Sequence, residues 1–249
     1  MPMDMTMLLL LFLAASAASI VDAIAGGGGL ITIPALLLTG LPPVNVLATN
    51  KTQGMCGTFV SSAVMLRKKM VSLPEMKKSI AFVACGAMLG TLLVQWIDRS
   101  TLEFIIPCVL VFVTLYVLLS PKASDLETKP RITEGPFRFI CTAIGMYDGA
   151  LGPGTGSMYA LTHVGLRGMP IRQSTARAKI LNFTSNIFSF LVFLIGGHVV
   201  WGAAACMIVG QVVGGYIGAH LVIAKGTKII KPIIAITSMA MLIKYFFFS

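Results

Sequence analysis

Two lysines, two aspartates and two glycine clusters carry the candidate chemistry of this chain, and each kind occurs once in either half. Lys51 and Lys179 lie in largely apolar stretches, while Asp22 and Asp148 precede the clusters Gly26, Gly27, Gly28, Gly29 and Gly152, Gly154, Gly156. An ammonium in hydrocarbon costs at least about 2.5 kcal/mol, so it needs a partner, a wet cavity or a route for its head to the interface. Lys51 is open to both readings; Lys179 shares a basic loop end with Arg177, which favours the interface. A helix that begins at bare glycine aims unpaired N–H groups and the positive end of its dipole forward, and no side chain keeps an oxyanion away. Such tips suit an anion. Thr49, Asn50 and Gln53 beside Lys51, with Thr155, Ser157, Thr175, Asn182 and Asn186 in the second half, supply hydrogen bonds for oxyanion oxygens. Polar glue between helices is the plainer use of each. The aspartates have two candidate roles, carrying a proton with the anion or capping the amides of the tips.

These groups are set in a chain that is 56% hydrophobic and only 11% charged, which is the composition of an integral membrane protein. Apolar segments fall at about 7–25, 30–40, 45–66, 79–97 and 101–120, then at 137–151, 156–166, 171–195, 199–224 and 229–248. The second segment of each set reaches only about 16 Å as a helix, against roughly 30 Å of hydrocarbon. Each is therefore a half-helix.

The halves repeat one another. A shift of 126 positions takes Asp22 to Asp148, Gly26 to Gly152, Gly28 to Gly154 and Thr49 to Thr175; a shift of 128 takes Gly40 to Gly168, Lys51 to Lys179, Gly86 to Gly214 and Gly90 to Gly218. Sixteen of the nineteen Lys and Arg residues fall in four groups, 67–78, 122–138, 167–179 and 225–231, leaving Lys51, Arg99 and Lys244. If all four groups face the cytoplasm, the three spanning segments of one half run antiparallel to those of the other. The expected fold is an all-α integral membrane protein of two inverted-topology repeats, each a re-entrant or broken hairpin followed by three transmembrane helices. One domain covers 1–249: repeat one about 7–120, a linker about 121–136, and repeat two about 137–249. Both termini are then expected on the non-cytoplasmic side. The GxxxG pairs Gly86 with Gly90 and Gly214 with Gly218 serve packing within the chain in preference to dimerisation; the oligomeric state is not legible.

Other classes fit less well. The formal charge of +10 is spread over short loops, with no basic and aromatic face for nucleic acid. Five cysteines show no CxxC pair, and no histidine stands at metal-ligand spacing, so neither metal nor other cofactor is expected. Gly29 is not followed by the Gly-Lys-Ser/Thr of a phosphate-binding loop. An intramembrane hydrolase would need Ser157 with His198 or His220, and no GxSxG or HExxH pattern accompanies them, so the chain is not read as an enzyme. The first residues are like a secretory signal, but no Lys or Arg precedes the apolar run, and Asp22 to Gly29 is copied in the second half; it is read as the first segment.

The runs AGGGGLITIPALLLTGLPP from Ala25 to Pro43 and ATNK from Ala48 to Lys51 resemble the sulfite exporter TauE/SafE family. GMYDGALGPGTGSMYA from Gly145 to Ala160, STARAK from Ser174 to Lys179, LNFTSN from Leu181 to Asn186 and GQVVGG from Gly210 to Gly215 resemble its second repeat. The resemblance implies a multi-spanning carrier of small anions such as sulfite, sulfonates or related acids, in most cases exporting them across the bacterial inner membrane. Pro153 stands where the first repeat has Gly27, so the two tips are not conformationally equivalent.

Overall fold

The computed structural model describes residues 4–119 and 126–225, and among these the chain is helical without strands. The order is α1 Met5–Ala25, α2 Gly29–Leu37, α3 Pro43–Arg67, α4 Leu73–Val94, α5 Arg99–Leu119, α6 Glu134–Ala150, α7 Thr155–Arg167, α8 Ile171–Ile195 and α9 Trp201–Lys225. The expected segment at 229–248 lies outside the described residues.

Helices α1, α4, α5, α8 and α9 are long and apolar enough to cross a membrane. At 25 residues α3 has the length of α8, about 37 Å, but its middle is a run of buried polar groups from Thr49 to Gln53. A helix of that composition is stable in a bilayer only when surrounded by protein. Both α3 and α8 begin directly after a proline in extended conformation, Pro42 and Pro170, which leaves the first turn free to form.

The short helices occur where the sequence places them. With nine residues α2 is only about 13 Å long, and every residue from Leu30 to Leu36 is buried. Gly26 ends α1 in the left-handed region at φ 72°, its N–H donating to the Asp22 carbonyl at 2.7 Å. In the second hairpin Gly152 and Gly154 have φ of 94° and 73°, on either side of Pro153. Left-handed backbone of this kind favours glycine.

Glycine also sets the packing between halves. A methyl at Gly86 or Gly90 of α4 would strike the carbonyls of Thr142 and Met146 on α6, and at Gly214 or Gly218 of α9 those of Ser16 and Ile20 on α1. Each GxxxG pair therefore seats a helix against the first helix of the other half, within one chain. At the centre α3 packs on α8.

Candidate functional site

The tips of the two hairpins touch. Gly26 and Gly156 approach so closely that a Cβ on either would fall on the backbone of the other, and the Ser157 hydroxyl donates to the Ala25 carbonyl. Beside this contact lies a cavity of about 30 Å³, room for a water or two, walled by groups from both halves. Its lining includes Asp22, Gly26, Gly28, Gly29, Asn50, Lys51 and Gln53 from the first half. Asp148, Gly152, Asn182 and Asn186 come from the second.

Both lysines are 1% exposed, so neither reaches the interface. Each instead pairs with the aspartate of the opposite half. Lys51 on α3 donates to Asp148 Oδ1 on α6, while Lys179 on α8 donates to Asp22 Oδ2 on α1 at 3.0 Å and to the Asp22 backbone carbonyl. The basic loop end thus divides: Arg177 stays near the surface, 2.8 Å from Glu75, whereas Lys179, half a turn on, points inward. A buried pair is retained because separating it leaves an uncompensated charge.

The rest of the polar set is organised around these pairs. Gly28 N–H donates to Asp22 Oδ1 at 3.3 Å, so Asp22 caps the first tip as well as holding a lysine. Asp148 makes no bond of that kind to its own tip; its second oxygen accepts from the Ser185 hydroxyl on α8. Thr32 on α2 donates to Asn50 Oδ1 at 2.6 Å, and the same oxygen accepts from Gln53 Nε2 at 2.9 Å. Gln53 Oε1 is buried without a protein partner. Asn186 Nδ2 donates to Asn182 Oδ1 at 3.2 Å.

Several expected site residues are placed elsewhere. Gly27 does not line the cavity; Thr49 accepts from the Val200 N–H at 3.2 Å and so ties α3 to the segment before α9. Gly154, Thr155, Gly156 and Ser157 shape and pack the second tip without lining the cavity, and Thr175 is buried away from it. The groups that sequence reasoning missed are Thr32, Gly54 and Thr58 in the lining and Ser185 on Asp148, while Gln211, the weakest of the sequence candidates, does line the cavity. Ser185 carried a usable signal, because 128 positions earlier stands Gly57, which has no hydroxyl.

Paired half-helices meeting at a buried, charged and polar cavity among membrane-spanning helices define a multi-pass membrane transporter. The chain belongs to the sulfite exporter TauE/SafE family, whose model matches residues 11–245. It is 44% identical over 222 residues to the probable membrane transporter protein YfcA of Escherichia coli K12, covering 89% of this chain and 82% of the relative. It is 43% identical over 227 residues to a probable membrane transporter protein of Haemophilus influenzae, covering 91% and 89%. A Sinorhizobium protein, probable membrane transporter protein ORF9, is 42% identical over 227 residues, covering 90% and 86%. No solved structure matches the chain.

Proposed function

We propose that the protein is a secondary carrier of small sulfur-containing or organic anions, with sulfite and sulfonates as the class, working by alternating access around the cavity between the hairpin tips. The observation that carries this reading is the crossed arrangement of two ion pairs at one glycine-edged cavity, with Lys51, Asp148 and Asp22 in its lining and Lys179, itself off the lining, behind Asp22. Helix α2 begins at Gly29 on the cavity wall, so the positive end of its dipole favours negative charge there, as the Asp22 carboxylate on Gly28 N–H illustrates. Reciprocal contacts, α1 with α9 and α6 with α4, support two inverted repeats related by an axis in the membrane plane. A cavity with room for a water or two is narrower than a sulfonate needs, which supports a movement of the halves on binding; saturable flux separates such a carrier from a channel.

The distribution of basic loops supports an orientation with both termini away from the cytoplasm, and the inner membrane is the location this reading assigns. There the interior-negative potential favours export of a monovalent anion that takes no proton with it, by about 2.3 kcal/mol per 100 mV. The test is saturable flux and counterflow of labelled sulfite and methanesulfonate in proteoliposomes. The parent is expected to show both, and Lys51→Ala combined with Asp148→Ala, which leaves no unpaired charge, to lose at least about tenfold in rate, the equivalent of one charged hydrogen bond. Parent-like flux in that double variant, or flux that never saturates, sinks the carrier reading. Cysteine labelling of the termini and of the loop at Asp98 and Arg99 tests the orientation.

A further inference from the structure

Resting on the anion-carrier reading, we infer that the two crossed ion pairs have different jobs: Asp148 is the exchangeable proton site that frees Lys51 for the anion, and Asp22 is a fixed structural charge.

The distinction lies in what each carboxylate touches. Asp22 is held by Gly28 N–H and the Lys179 ammonium, which can only donate. A proton on Asp22 would face donors. Lys179 would moreover stay in place without the Asp22 charge, because it also donates to the Asp22 backbone carbonyl, which does not titrate over the working range.

Asp148 is different on both counts. Its Oδ2 faces the Ser185 hydroxyl, a group that can donate or accept, and Ser185 has two alternative acceptors within reach, the carbonyls of Leu181 at 3.2 Å and Asn182 at 3.1 Å. When a proton arrives on Asp148 Oδ2, the Ser185 hydroxyl turns to one of those carbonyls and its oxygen accepts the new acid proton. No hydrogen bond is lost. Lys51 then faces a neutral acid, and its ammonium, already at the cavity wall, can engage an anion. The step balances as one hydronium giving its proton to one carboxylate and leaving water.

The other groups facing Asp148 do not compete for this role. Tyr159 on α7 lies beside Ser185 and donates to the Cys141 carbonyl at 3.4 Å, Tyr147 on α6 donates to the Pro153 carbonyl at 2.7 Å, and α4 carries no charged side chain between Lys78 and Val94. On α8 Lys179 is engaged with Asp22. The repeat supplies the control, since Gly57 at the place equivalent to Ser185 gives the Asp22 pair no reversible partner.

The experiment uses the full chain in proteoliposomes, with labelled methanesulfonate as probe because its charge does not change between mildly acidic and mildly alkaline media. In the parent, apparent affinity should fall as pH rises, by up to about tenfold per unit for one linked proton. Asp148→Asn should be flat at the acid-side value, Asp148→Glu should restore a slope, and Asp22→Asn, though less stable, should keep the parent slope. A flat parent, a sloping Asp148→Asn or a flat Asp22→Asn each overturns the assignment. Infrared titration of the same preparations reads the site without any anion: a carboxylic-acid band should titrate in the parent and in Asp22→Asn, be absent from Asp148→Asn, and change frequency in Ser185→Ala. Absence of that band, or its indifference to Ser185→Ala, overturns the inference even if Asp148→Asn does not fold. A titrating band with no methanesulfonate movement at any pH sinks the anion-carrier reading and leaves the proton site standing.

Discussion

The first hairpin offers its tip to the cavity and seats its far end on the apolar core through Leu36, Leu37 and Leu41, whereas the second packs its tip and has its far end hydrogen-bonded to the linker. Gly26, Gly28 and Gly29 line the cavity, while at the other end of α2 Gly40 has open space around it. Of the glycines in the second hairpin only Gly152 reaches the cavity. Beyond α7 the linker between the halves binds back, Thr128 N–H to the Gly168 carbonyl at 2.8 Å and Arg131 N–H to the Leu166 carbonyl at 2.9 Å. Arg167 joins this strap through the Ile132 carbonyl and Glu134. Equivalent sequence motifs therefore do unequal work.

The largest test of the comparison is at the contact between the tips. Gly26→Ala combines a left-handed backbone with a methyl driven onto Gly156, a loss of roughly 2–6 kcal/mol that should abolish well-folded protein on size-exclusion chromatography. Gly165→Ala, on α7 with nothing nearby, should instead be neutral or stabilising by up to about 1 kcal/mol. Parent-like folding of Gly26→Ala would mean the tips are not in contact.

Next in size is Lys51→Ala, which strands Asp148 and should cost about 3–5 kcal/mol in thermal unfolding; adding Asp148→Ala should recover much of it. Simple addition of the two single losses would show that the pair is not coupled. Cutting the strap is a smaller perturbation. Arg167→Ala should cost about 1–2 kcal/mol and speed proteolysis of the linker, while Glu134→Gln, whose side chain is 47% exposed, should cost no more than about 1 kcal/mol. Equal protease sensitivity in Arg167→Ala and parent would remove the proposed difference between the far ends.

The smallest effect is at the turn into α5. Hydrogen bonds from the Ser100 and Thr101 side chains, and from the Thr101 N–H, hold Asp98 at about 2, below its ordinary 3.8. Because the folded value is the lower one, this contribution is complete above the ordinary carboxylate range and fades as pH falls toward 2. Amide exchange at Thr101 should therefore quicken only in that acid window, and Asp98→Ala should quicken it at every pH.

Much of the architecture was legible because it depends on local composition and periodicity. Glycine clusters followed by apolar runs too short to span mark α2 and α7, and prolines mark the starts of α3 and α8. The repeat itself announced that Lys51 and Lys179, and Asp22 and Asp148, belong to matched places. The site was only partly legible: Thr155, Ser157 and Thr175 have the right chemistry yet lie off the cavity, and Ser185 was passed over as one small hydroxyl among many.

By itself the amino-acid order determined where helices break and which of them are long and apolar enough to cross a membrane, since both are decided within about twenty neighbouring residues by hydrophobicity and backbone freedom. Helix starts were less legible, α4 beginning at Leu73, six residues before its apolar segment. Partner choice was decided only by the tertiary structure. Lys51 reaches Asp148 and Lys179 reaches Asp22 because glycine lets α4 close on α6 and α9 on α1, bringing together charges more than ninety positions apart. No local pattern encodes such a meeting; it follows from burying two unlike charges in one low-dielectric interior, where each must find the other.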